Sequence, residues 1–444
     1  MDDDAFSQSR KRLLVITRFC PLNGSSGAGT YLFSILRYLH QNGLLITVCW
    51  SERPEAATRR GWWIVPQEMD DLATLCLPGA LNLGRLRLFP SVLLDPPRKA
   101  VRRVLKRSLL ALGLGPLLGI RPPASAPADP SAPPVNPYQW DRPPGPYETA
   151  FFGRAIARFQ PDALLFSYCW MNPIADQLAP STHPLKLTLT QDLHHLYSTL
   201  ENGTIHRGEG GLMSQAAECE YLRRSDAIIA IRQDDAEIFR SLLPDKTVLV
   251  ANPSFSPLPP DPSPLPDRCL FVAADNLANR EGIQWFLREA WPQLRAARPA
   301  AELHLCGTIC SALPLPDPPG VVRRGWVDSL HAVYDEASVV IVPLLRGSGV
   351  KIKLMEALAH GKACVTTPIG TEGVPALDAQ VCVAGTADAF AQGVVRLLGD
   401  ASARQALETR AFETIRQQFC AETCYGPILE YIQKAPLTPA SSNL

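Results

Sequence analysis

Residues 340–374 of the chain read VIVPLLRGSGVKIKLMEALAHGKACVTTPIGTEGV, in which two apolar runs enclose a glycine-rich turn and a helix-forming segment. This order of strand, turn, helix and strand is typical of a parallel βαβ unit. The turn and the helix N-terminus of such a unit present backbone N–H groups to a ligand. We therefore expect an α/β fold with a binding site at residues 346–349.

Basic residues crowd the start of this helix, where the macrodipole is already positive. Arg346, Lys351 and Lys353 lie at or near its first turn, and each costs a few tenths to about 1 kcal/mol there. A diphosphate would offset this cost by accepting hydrogen bonds from the amides of residues 347–349 and pairing with Arg346 and Lys353. Glu356 follows on the same helical face, where it would accept hydrogen bonds from ribose hydroxyls. The alternative is an ordinary Lys–Glu surface pair beside a glycine-rich loop.

Further strands and helices divide the chain into two α/β halves around a cluster of seven prolines at residues 253–266. We predict a Rossmann-like domain at residues 1–252, a linker at 253–266 and a second Rossmann-like domain at 267–420, with one of its helices at about 280–297. Residues 421–444 would form a helix that crosses back to the first domain, followed by a tail. Two doubly wound domains of this kind face a cleft, where α/β proteins usually bind ligands.

Two unusual segments interrupt the first half. Residues 98–120 begin with a basic run and end with twelve mostly apolar residues, which are too few to span a bilayer. Two interpretations stay open: an interfacial helix on anionic lipid, or a solvated basic helix followed by a buried turn. Residues 121–146 are rich in proline, a composition typical of a surface insertion.

Composition and charge narrow the classes of partner. The 43 Lys and Arg balance 43 Asp and Glu, so no global field favours nucleic acid. We expect no metal and no cofactor, because the twelve cysteines lack CxxC spacing and Asp-x-Asp occurs at residues 2–4 alone. The first residues show neither a signal peptide nor an anchor, which indicates a cytoplasmic protein, at the inner face of the membrane if residues 98–120 bind lipid.

The segment at residues 340–374 resembles the donor-site signature of glycosyltransferase family 4, whose members are retaining enzymes of GT-B fold that use sugar nucleotides. Residues 270–307 and 325–343 resemble earlier parts of that family's donor domain. The stretch RFCPLNGSSGAGTYLFSILRYLHQNG at residues 18–43 is similar to the family's first loop and helix, and TQDLHHLYS at 190–198 is similar to its His-bearing loop.

The resemblance implies a set of site residues. His194 would face the reacting sugar, with His195 as the alternative, and Arg346 and Lys353 would stabilise the leaving diphosphate. The residues expected to bind the donor are Gly27, Gly29, Arg280, Gly347, Ser348, Gly349, Lys353, Glu356, Gly370 and Glu372. Ser348 stands where most of the family has a glutamate that contacts the donor sugar, so the sugar is not assigned.

The implied function is transfer of a sugar, with retention, from a nucleoside diphosphate sugar to a saccharide or a lipid-linked saccharide. Surface polysaccharide or glycolipid synthesis is the setting that such acceptors indicate. A nucleotide-sugar epimerase and a non-catalytic GT-B scaffold are the alternatives. A dehydrogenase is a further one, because GSSGAG at residues 24–29 is glycine-rich, although its GxxGxG spacing differs from the GxGxxG fingerprint.

Overall fold

The computed structural model describes residues 10–19, 21–22, 27–52, 60, 62–90, 142–179, 182–201, 204–209, 213–259, 264–314, 316–327, 329–347 and 349–436. Within residues 197–201 and 204–209 the description covers the backbone alone. The proposed interfacial helix at 98–120, most of the insertion predicted at 121–146, and Ser348 lie outside the described residues.

The first domain is built around a parallel sheet. Its strands are β1 (Arg12–Thr17), β2 (Leu45–Trp50), β3 (Trp62–Ile64), β4 (Thr74–Cys76), β5 (Leu81–Leu83), β6 (Leu86–Leu88), β7 (Ala163–Ser167), β8 (Leu185–Leu189), β9 (Leu196–Glu201), β10 (Thr204–Glu209), β11 (Ala227–Ala230) and β12 (Thr247–Val250). Its helices are α1 (Gly27–Gln41), α2 (Gln67–Leu72), α3 (Pro146–Phe159), α4 (Gln215–Leu222) and α5 (Gln233–Leu242), with a 3-10 helix at Cys169–Gln177. The main sheet has the order β12-β11-β8-β7-β1-β2-β4; β9 and β10 form a hairpin, and β3-β6-β5 form a small antiparallel sheet.

The alternation of strand β1 shows that both faces of this sheet are covered. Leu13 and Val15 pack in the core that contains the apolar side of helix α1, including Leu32. Leu14 and Ile16, which point to the opposite face, pack with residues of helix α3. A strand that is buried on both faces has an almost continuously apolar sequence, as in parallel sheets that are flanked by helices.

The second domain repeats this architecture. Its strands are β13 (Arg268–Val272), β14 (Glu302–Cys306), β15 (Val321–Gly325), β16 (Val339–Val342), β17 (Cys364–Thr366) and β18 (Cys382–Val383), in the parallel order β15-β14-β13-β16-β17-β18. Its helices are α6 (Leu277–Trp285), α7 (Trp291–Ala297), α8 (Ile309–Ala312), α9 (Leu330–Glu336), α10 (Ile352–Ala359), α11 (Pro368–Thr371), α12 (Ala387–Gly399) and α13 (Ala401–Gln418). A π-helical segment at Phe286–Ala290 joins α6 to α7, and a 3-10 turn lies at Pro375–Leu377. The fold class predicted from the sequence, two Rossmann-like domains, is confirmed.

The last helix, α14 (Ala421–Lys434), returns to the first domain. The hydroxyl of Tyr425 lies 2.6 Å from Ser34 Oγ of helix α1 and accepts a hydrogen bond from the backbone N–H of Ser254 at 2.8 Å. Lys11 donates to the carbonyl of Ile432 at 2.7 Å. These contacts tie the C-terminal part of the described chain to the first sheet. No helix among the described residues is both long and apolar enough to cross a membrane.

Candidate functional site

The two domains meet where the carboxyl ends of their central strands face each other. Gly349, in the turn before helix α10, lies against Asp192 and the carbonyl of Gln191, in the loop after strand β8. A Cβ placed on Gly27, the first residue of helix α1, would lie 3.7 Å from Ile352 Cγ1 at the start of helix α10. The N-termini of α1 and α10 therefore lie close together across the cleft. This is the position at which open α/β sheets bind ligands.

The glycine turn before helix α10 has a backbone that few other residues tolerate. Gly347 has φ 145° and Gly349 has φ 66°, values at which an L-residue with a Cβ is strained. Arg346, which precedes them, forms an ion pair with Glu281 of helix α6, with Nε and Oε2 2.8 Å apart. Glu281 directly follows Arg280, so this pair brings the first loop of the second domain to the glycine turn.

Lys351, the N-cap residue of helix α10, is a buried cation. Its Nζ donates to the carbonyl of Gly349 at 2.7 Å, which closes the turn. Burial, with a smaller contribution from the positive charge of Arg232, lowers the pKa of Lys351 to about 8, against the opposing effect of Glu372, Asp192 and Asp235.

Arg232 connects the two domains beside this lysine. Its Nε donates to Asp235 Oδ1 at 2.8 Å, and its Nη1 donates to the carbonyl of Glu372 in the second domain at 3.1 Å. Burial raises the pKa of Asp235 to about 6, although the charge of Arg232 opposes the rise. The junction is thus a buried network of alternating charges.

Lys353 and Glu356 lie one turn apart on helix α10, as the sequence spacing predicts. Lys353 is half-buried and forms no hydrogen bond or ion pair with any described residue. Burial, and then the charge of Lys351, lower its pKa to about 8, while Glu356 opposes the change. Burial raises the pKa of Glu356, which accepts a hydrogen bond on Oε2 from the hydroxyl of Tyr334 at 3.2 Å.

The histidine loop after strand β8 is held by one buried carboxylate. Glu218 of helix α4 accepts the backbone N–H of His194 on Oε1 at 3.1 Å and that of His195 on Oε2 at 3.2 Å. The Nδ1–H of His195 donates to the same Oε2 at 2.6 Å. With Nδ1 engaged in this way, Nε2 is the other ring nitrogen of His195.

The ring of His194 packs against aromatic side chains. Its ring centroid is 4.8 Å from that of Trp170 and 5.5 Å from that of Tyr168. Its Nε2 lies 3.1 Å from the carbonyl of Thr190, and because a carbonyl only accepts, Nε2 is the protonated nitrogen of the neutral ring. These contacts fix both the ring orientation and the tautomer of His194.

Two residues near this loop have left-handed backbones although they are not glycine. Tyr168, after strand β7, has φ 72°, and Gln191, after strand β8, has φ 60°. Such conformations cost of order 1–3 kcal/mol and concentrate at functional sites. Gln191 donates from Nε2 to Ser167 Oγ at 3.0 Å, which ties the two strand ends together.

A group of potential metal ligands lies beneath this loop. One donor atom each from Cys169, His194 and Glu218 lie within 4.8 Å of one another, and all three residues are buried. Burial raises the pKa of the Cys169 thiol well above its usual value, which keeps it protonated, and Glu218 already accepts three hydrogen bonds. These properties fit a structural network better than a set of ligands, since metal-bound thiols are deprotonated.

The remaining predicted residues are distributed around the glycine turn. Gly29 is buried within helix α1, and Gly370 lies in helix α11 against Thr366, where a side chain would overlap. Arg280 pairs with Asp275 and is partly exposed. Glu372 follows helix α11 and meets Arg232 through its carbonyl. Ser348 lies outside the described residues.

Six residues around the site were not predicted from the sequence. They are Tyr168, Gln191, Glu218, Arg232, Glu281 and Tyr334. Each acts through a partner far along the chain, such as Tyr334 with Glu356 or Arg232 with Glu372. Glu218 lies within AECEYLRR, where the neighbouring Glu220 and Arg223 are exposed, so its burial was not predictable from local pattern.

Comparison with known proteins finds a family match within the second domain. A family model described as Glycosyl transferases group 1 matches residues 266–400. A curated relative from Klebsiella pneumoniae, described as an uncharacterized 44.6 kDa protein in the cps region, is 23% identical over 163 residues. That match spans 34% of this chain and 42% of the relative.

Similar solved structures extend the likeness to the whole fold. S. aureus TarM, in a complex with fondaparinux, α-GlcNAc-glycerol and UDP, has a TM-score of 0.64 at 10% identity, covering 96% of this chain and 100% of that chain. The pneumococcal O-GlcNAc transferase GtfA, in complex with UDP and GlcNAc, has a TM-score of 0.60 at 10% identity and covers 96% and 99%. Sucrose-phosphate synthase from Thermosynechococcus elongatus has a TM-score of 0.57 at 14% identity and covers 96% and 99%. The chain thus has the fold of GT-B glycosyltransferases, and its residues 266–400 match the glycosyl transferases group 1 domain.

Proposed function

We propose that this protein is a glycosyltransferase of family 4 that transfers a sugar, with retention, from a nucleoside diphosphate sugar to a saccharide or lipid-linked saccharide. The match of residues 266–400 to glycosyl transferases group 1 supports the reaction class. The complexes of TarM and GtfA contain UDP, which supports a nucleotide donor. The relative's cps region supports a role in surface polysaccharide or glycolipid synthesis.

One observation carries the proposal: the environment of Lys353. It is a half-buried lysine at the positive end of helix α10, without a hydrogen-bond or ion-pair partner among the described residues. Its pKa is lowered to about 8 because burial disfavours the ammonium form. A diphosphate would restore the lost solvation of this cation and would accept hydrogen bonds from the glycine turn at residues 347–349.

The neighbouring carboxylate supports a nucleoside rather than a free phosphate. Glu356 accepts from Tyr334 on one oxygen, and its other oxygen has no hydrogen-bond partner within the described chain. That oxygen would accept a ribose hydroxyl one helical turn below the diphosphate. Arg346, already held by Glu281, would lie at the other side of the turn as a fixed cation.

The reaction would proceed without a metal or cofactor. The bond from the anomeric carbon to the β-phosphate breaks, a bond to the acceptor oxygen forms on the same face, and the acceptor proton goes to the departing phosphate oxygen. Lys353, Arg346 and the glycine-turn amides would stabilise the departing diphosphate, because prearranged charges supply much of the catalysis in such sites. His194 would position the reacting sugar. The expected location remains cytoplasmic, at the membrane if the acceptor is lipid-linked.

The proposal is tested by screening the purified protein against sugar nucleotides by thermal shift, followed by transfer assays with the donor that binds. A ligand specific for the folded state raises the midpoint by mass action. We expect one class of nucleoside diphosphate sugar to bind, and the glycosidic product to retain the donor's configuration by NMR. Donor conversion without an acceptor would indicate the epimerase, and the absence of any binding would indicate a scaffold; either result contradicts the proposal.

A further inference from the structure

Two cysteines face each other across neighbouring strands of the first sheet. Cys49 of strand β2 is the register partner of Cys76 of strand β4. Side chains alternate between the two faces of a sheet, and both cysteines lie on the same face, because both pack in the core that contains the apolar side of helix α3. In the sheets that the structure describes, no other two register partners are both cysteine.

The spacing of these strands is compatible with a disulfide bond. Neighbouring strands lie about 4.7–4.9 Å apart, and the Cα atoms of a disulfide usually lie about 4.4–6.8 Å apart. Strand β4 lies at one end of the described main sheet, next to β2. A small shift of β4 toward β2 would therefore bring the two sulfur atoms to bonding distance without disrupting the strand pairs further along the sheet.

The two thiols differ in burial and in acidity. Cys49 is fully buried, whereas Cys76 is half-buried at the end of its strand. The Cys49 thiol donates a hydrogen bond to the Cys76 sulfur, which lowers the pKa of Cys76 and raises that of Cys49 well above its usual value. Burial opposes the change at Cys76, and the charge of Arg158 in helix α3 adds to it. Cys76 is therefore the thiol with the greater thiolate content and the better access, and the thiolate is the reactive form.

We propose that Cys49 and Cys76 are a modification site that forms a reversible disulfide when the protein is exposed to hydrogen peroxide. Cys76 is the thiol that the peroxide oxidises, and Cys49 is the thiol that resolves the product. Low-pKa, accessible cysteines beside a resolving cysteine are typical of redox sensors. In a reducing compartment, disulfides of this kind are usually transient.

The oxidation proceeds in two balanced steps. The Cys76 thiolate attacks one peroxide oxygen; a sulfur–oxygen bond forms, the oxygen–oxygen bond breaks, and the departing hydroxide takes up a proton to leave as water. The Cys49 sulfur then attacks the sulfenic acid of Cys76; a sulfur–sulfur bond forms, the sulfur–oxygen bond breaks, and the hydroxyl leaves as water with the proton of Cys49. Two thiols are oxidised to one disulfide, and one hydrogen peroxide is reduced to two waters.

The pair lies apart from the proposed donor site, and its oxidation does not depend on sugar transfer. Cys49 directly precedes Trp50, whose indole donates to the carbonyl of Arg18 in the loop after strand β1 at 2.8 Å. The disulfide would therefore join strand β4 covalently to the strand that supports this loop. Among the described residues, neither cysteine belongs to a group of three or more potential metal ligands, which favours redox chemistry over metal binding.

Peptide mapping of the folded protein tests the proposal. The full chain is treated with hydrogen peroxide, alkylated, and digested with trypsin in the absence of reductant. Arg59 and Arg60 separate the two cysteines in the sequence, so the disulfide would join peptide 38–59 to peptide 61–85, each of which contains one cysteine. We expect this linked pair to form, to disappear after treatment with dithiothreitol, and to exceed any linked pair that contains Cys382 at least about tenfold.

Matched variants distinguish the roles of the two cysteines. Cys49→Ala removes the resolving thiol and is expected to leave Cys76 as a sulfenic acid, which dimedone captures. In Cys76→Ala we expect Cys49 to remain a free thiol. The control is Cys382→Ala, which removes a half-buried cysteine of strand β18 whose register partner is Val365. This control is expected to form the linked pair as the wild-type protein does.

Three outcomes would overturn the inference. They are equal alkylation of Cys76 before and after peroxide, a Cys76 sulfinic acid with Cys49 still a free thiol, and a linked pair found in a covalent dimer on non-reducing electrophoresis. Circular dichroism confirms that the oxidised protein and the variants are folded. If an alanine variant unfolds, the peptide map of the wild-type protein tests the inference by itself. Because no sugar nucleotide enters these measurements, their result is separate from that of the proposed glycosyltransferase reaction.

Discussion

His195 Nδ1 lies 2.6 Å from Glu218 Oε2, inside the first domain and directly beside the cleft. The same carboxylate accepts the backbone N–H groups of His194 and His195. One buried charge therefore fixes the path of the histidine loop as well as the tautomer of one ring. This arrangement makes Glu218 a positioning residue for whichever histidine meets the sugar.

Replacing Glu218 by glutamine is expected to destabilise the protein. A glutamine amide presents N–H groups where three donors already point, so at least one donor loses its acceptor. The expected loss in the free energy of unfolding is about 1–3 kcal/mol, the usual result of leaving a buried donor unsatisfied. Urea denaturation measures it. Glu220→Gln changes an exposed residue of the same helix and is expected to stay within about 0.5 kcal/mol of wild type; equal effects of both variants would contradict the assigned role.

Substitution distinguishes the roles of His194 and His195. We expect His194→Phe to lower kcat by about 10²–10⁴, since it preserves the packing against Trp170 and Tyr168 but removes both ring nitrogens. His195→Phe loses the contact with Glu218 and is expected to affect stability more than turnover. Steady-state kinetics with the donor that binds gives both values. Full turnover in His194→Phe, together with a large loss of kcat in His195→Phe, would show that His195 and not His194 acts on the reacting sugar.

The contact between the two domains at the glycine turn is tested with a pair of matched glycines. Gly349 and Gly84 have similar left-handed backbones, with φ 66° and 58°. A Cβ on Gly349 would overlap Asp192, whereas a Cβ on Gly84 meets nothing within 4 Å. We expect each alanine variant to lose about 1–2 kcal/mol of stability from backbone strain, and Gly349→Ala alone to weaken nucleotide binding as well. Equal nucleotide affinity in the two variants would show that the contact with Asp192 does not shape the site.

Nucleotide affinity is expected to fall as the pH rises through about 8. Both Lys351 and Lys353 have a pKa lowered to about 8, so they lose their charge in the ligand-free protein over that range. The stability of the ligand-free protein changes in the opposite direction. Between about pH 8 and the ordinary lysine pKa of 10.5 the unfolded chain binds more protons than the folded chain, so the lysine contribution to the free energy of unfolding rises with pH.

Calorimetric titration of UDP at about pH 7, 8 and 9, values on either side of the lowered lysine pKa, measures how nucleotide affinity depends on pH. Lys353→Arg removes one titrating group, because arginine stays charged. We expect the nucleotide affinity of this variant to change less with pH than that of the wild-type protein. An affinity that does not change over this range in the wild-type protein would show that these lysines do not meet the ligand.

The chain's periodicity was enough to predict both α/β domains, because strands buried on two faces are almost continuously apolar. The helix predicted at about 280–297 is interrupted in the structure by the π-helical segment Phe286–Ala290. It lies just before Pro292, which lacks the N–H that a continuous α-helix needs. The β3-β6-β5 sheet was not predicted, since its strands of three residues are too short for an alternating pattern to stand out.

Within the site, contacts close in sequence were easier to predict than contacts between elements. The spacing of Lys353 and Glu356 on one helix is local, and the structure has both on helix α10. The ion pair of Arg346 with Glu281 and the hydrogen bond from Tyr334 to Glu356 join different elements of the second domain. No periodic pattern encodes such pairs, because they depend on how the helices pack on the sheet.

Lys353, which has no hydrogen-bond or ion-pair partner among the described residues, is proposed to receive the diphosphate of a sugar nucleotide. Isothermal titration of UDP and GDP into wild type, Lys353→Met and Lys434→Met measures this contribution, and Lys434→Met is the control because Lys434 is an exposed lysine of helix α14. We expect Lys353→Met to lower the affinity for the nucleotide that binds at least about tenfold, because one charge-assisted hydrogen bond is lost, while Lys434→Met binds like wild type. Equal affinity in all three proteins would show that Lys353 does not bind the diphosphate.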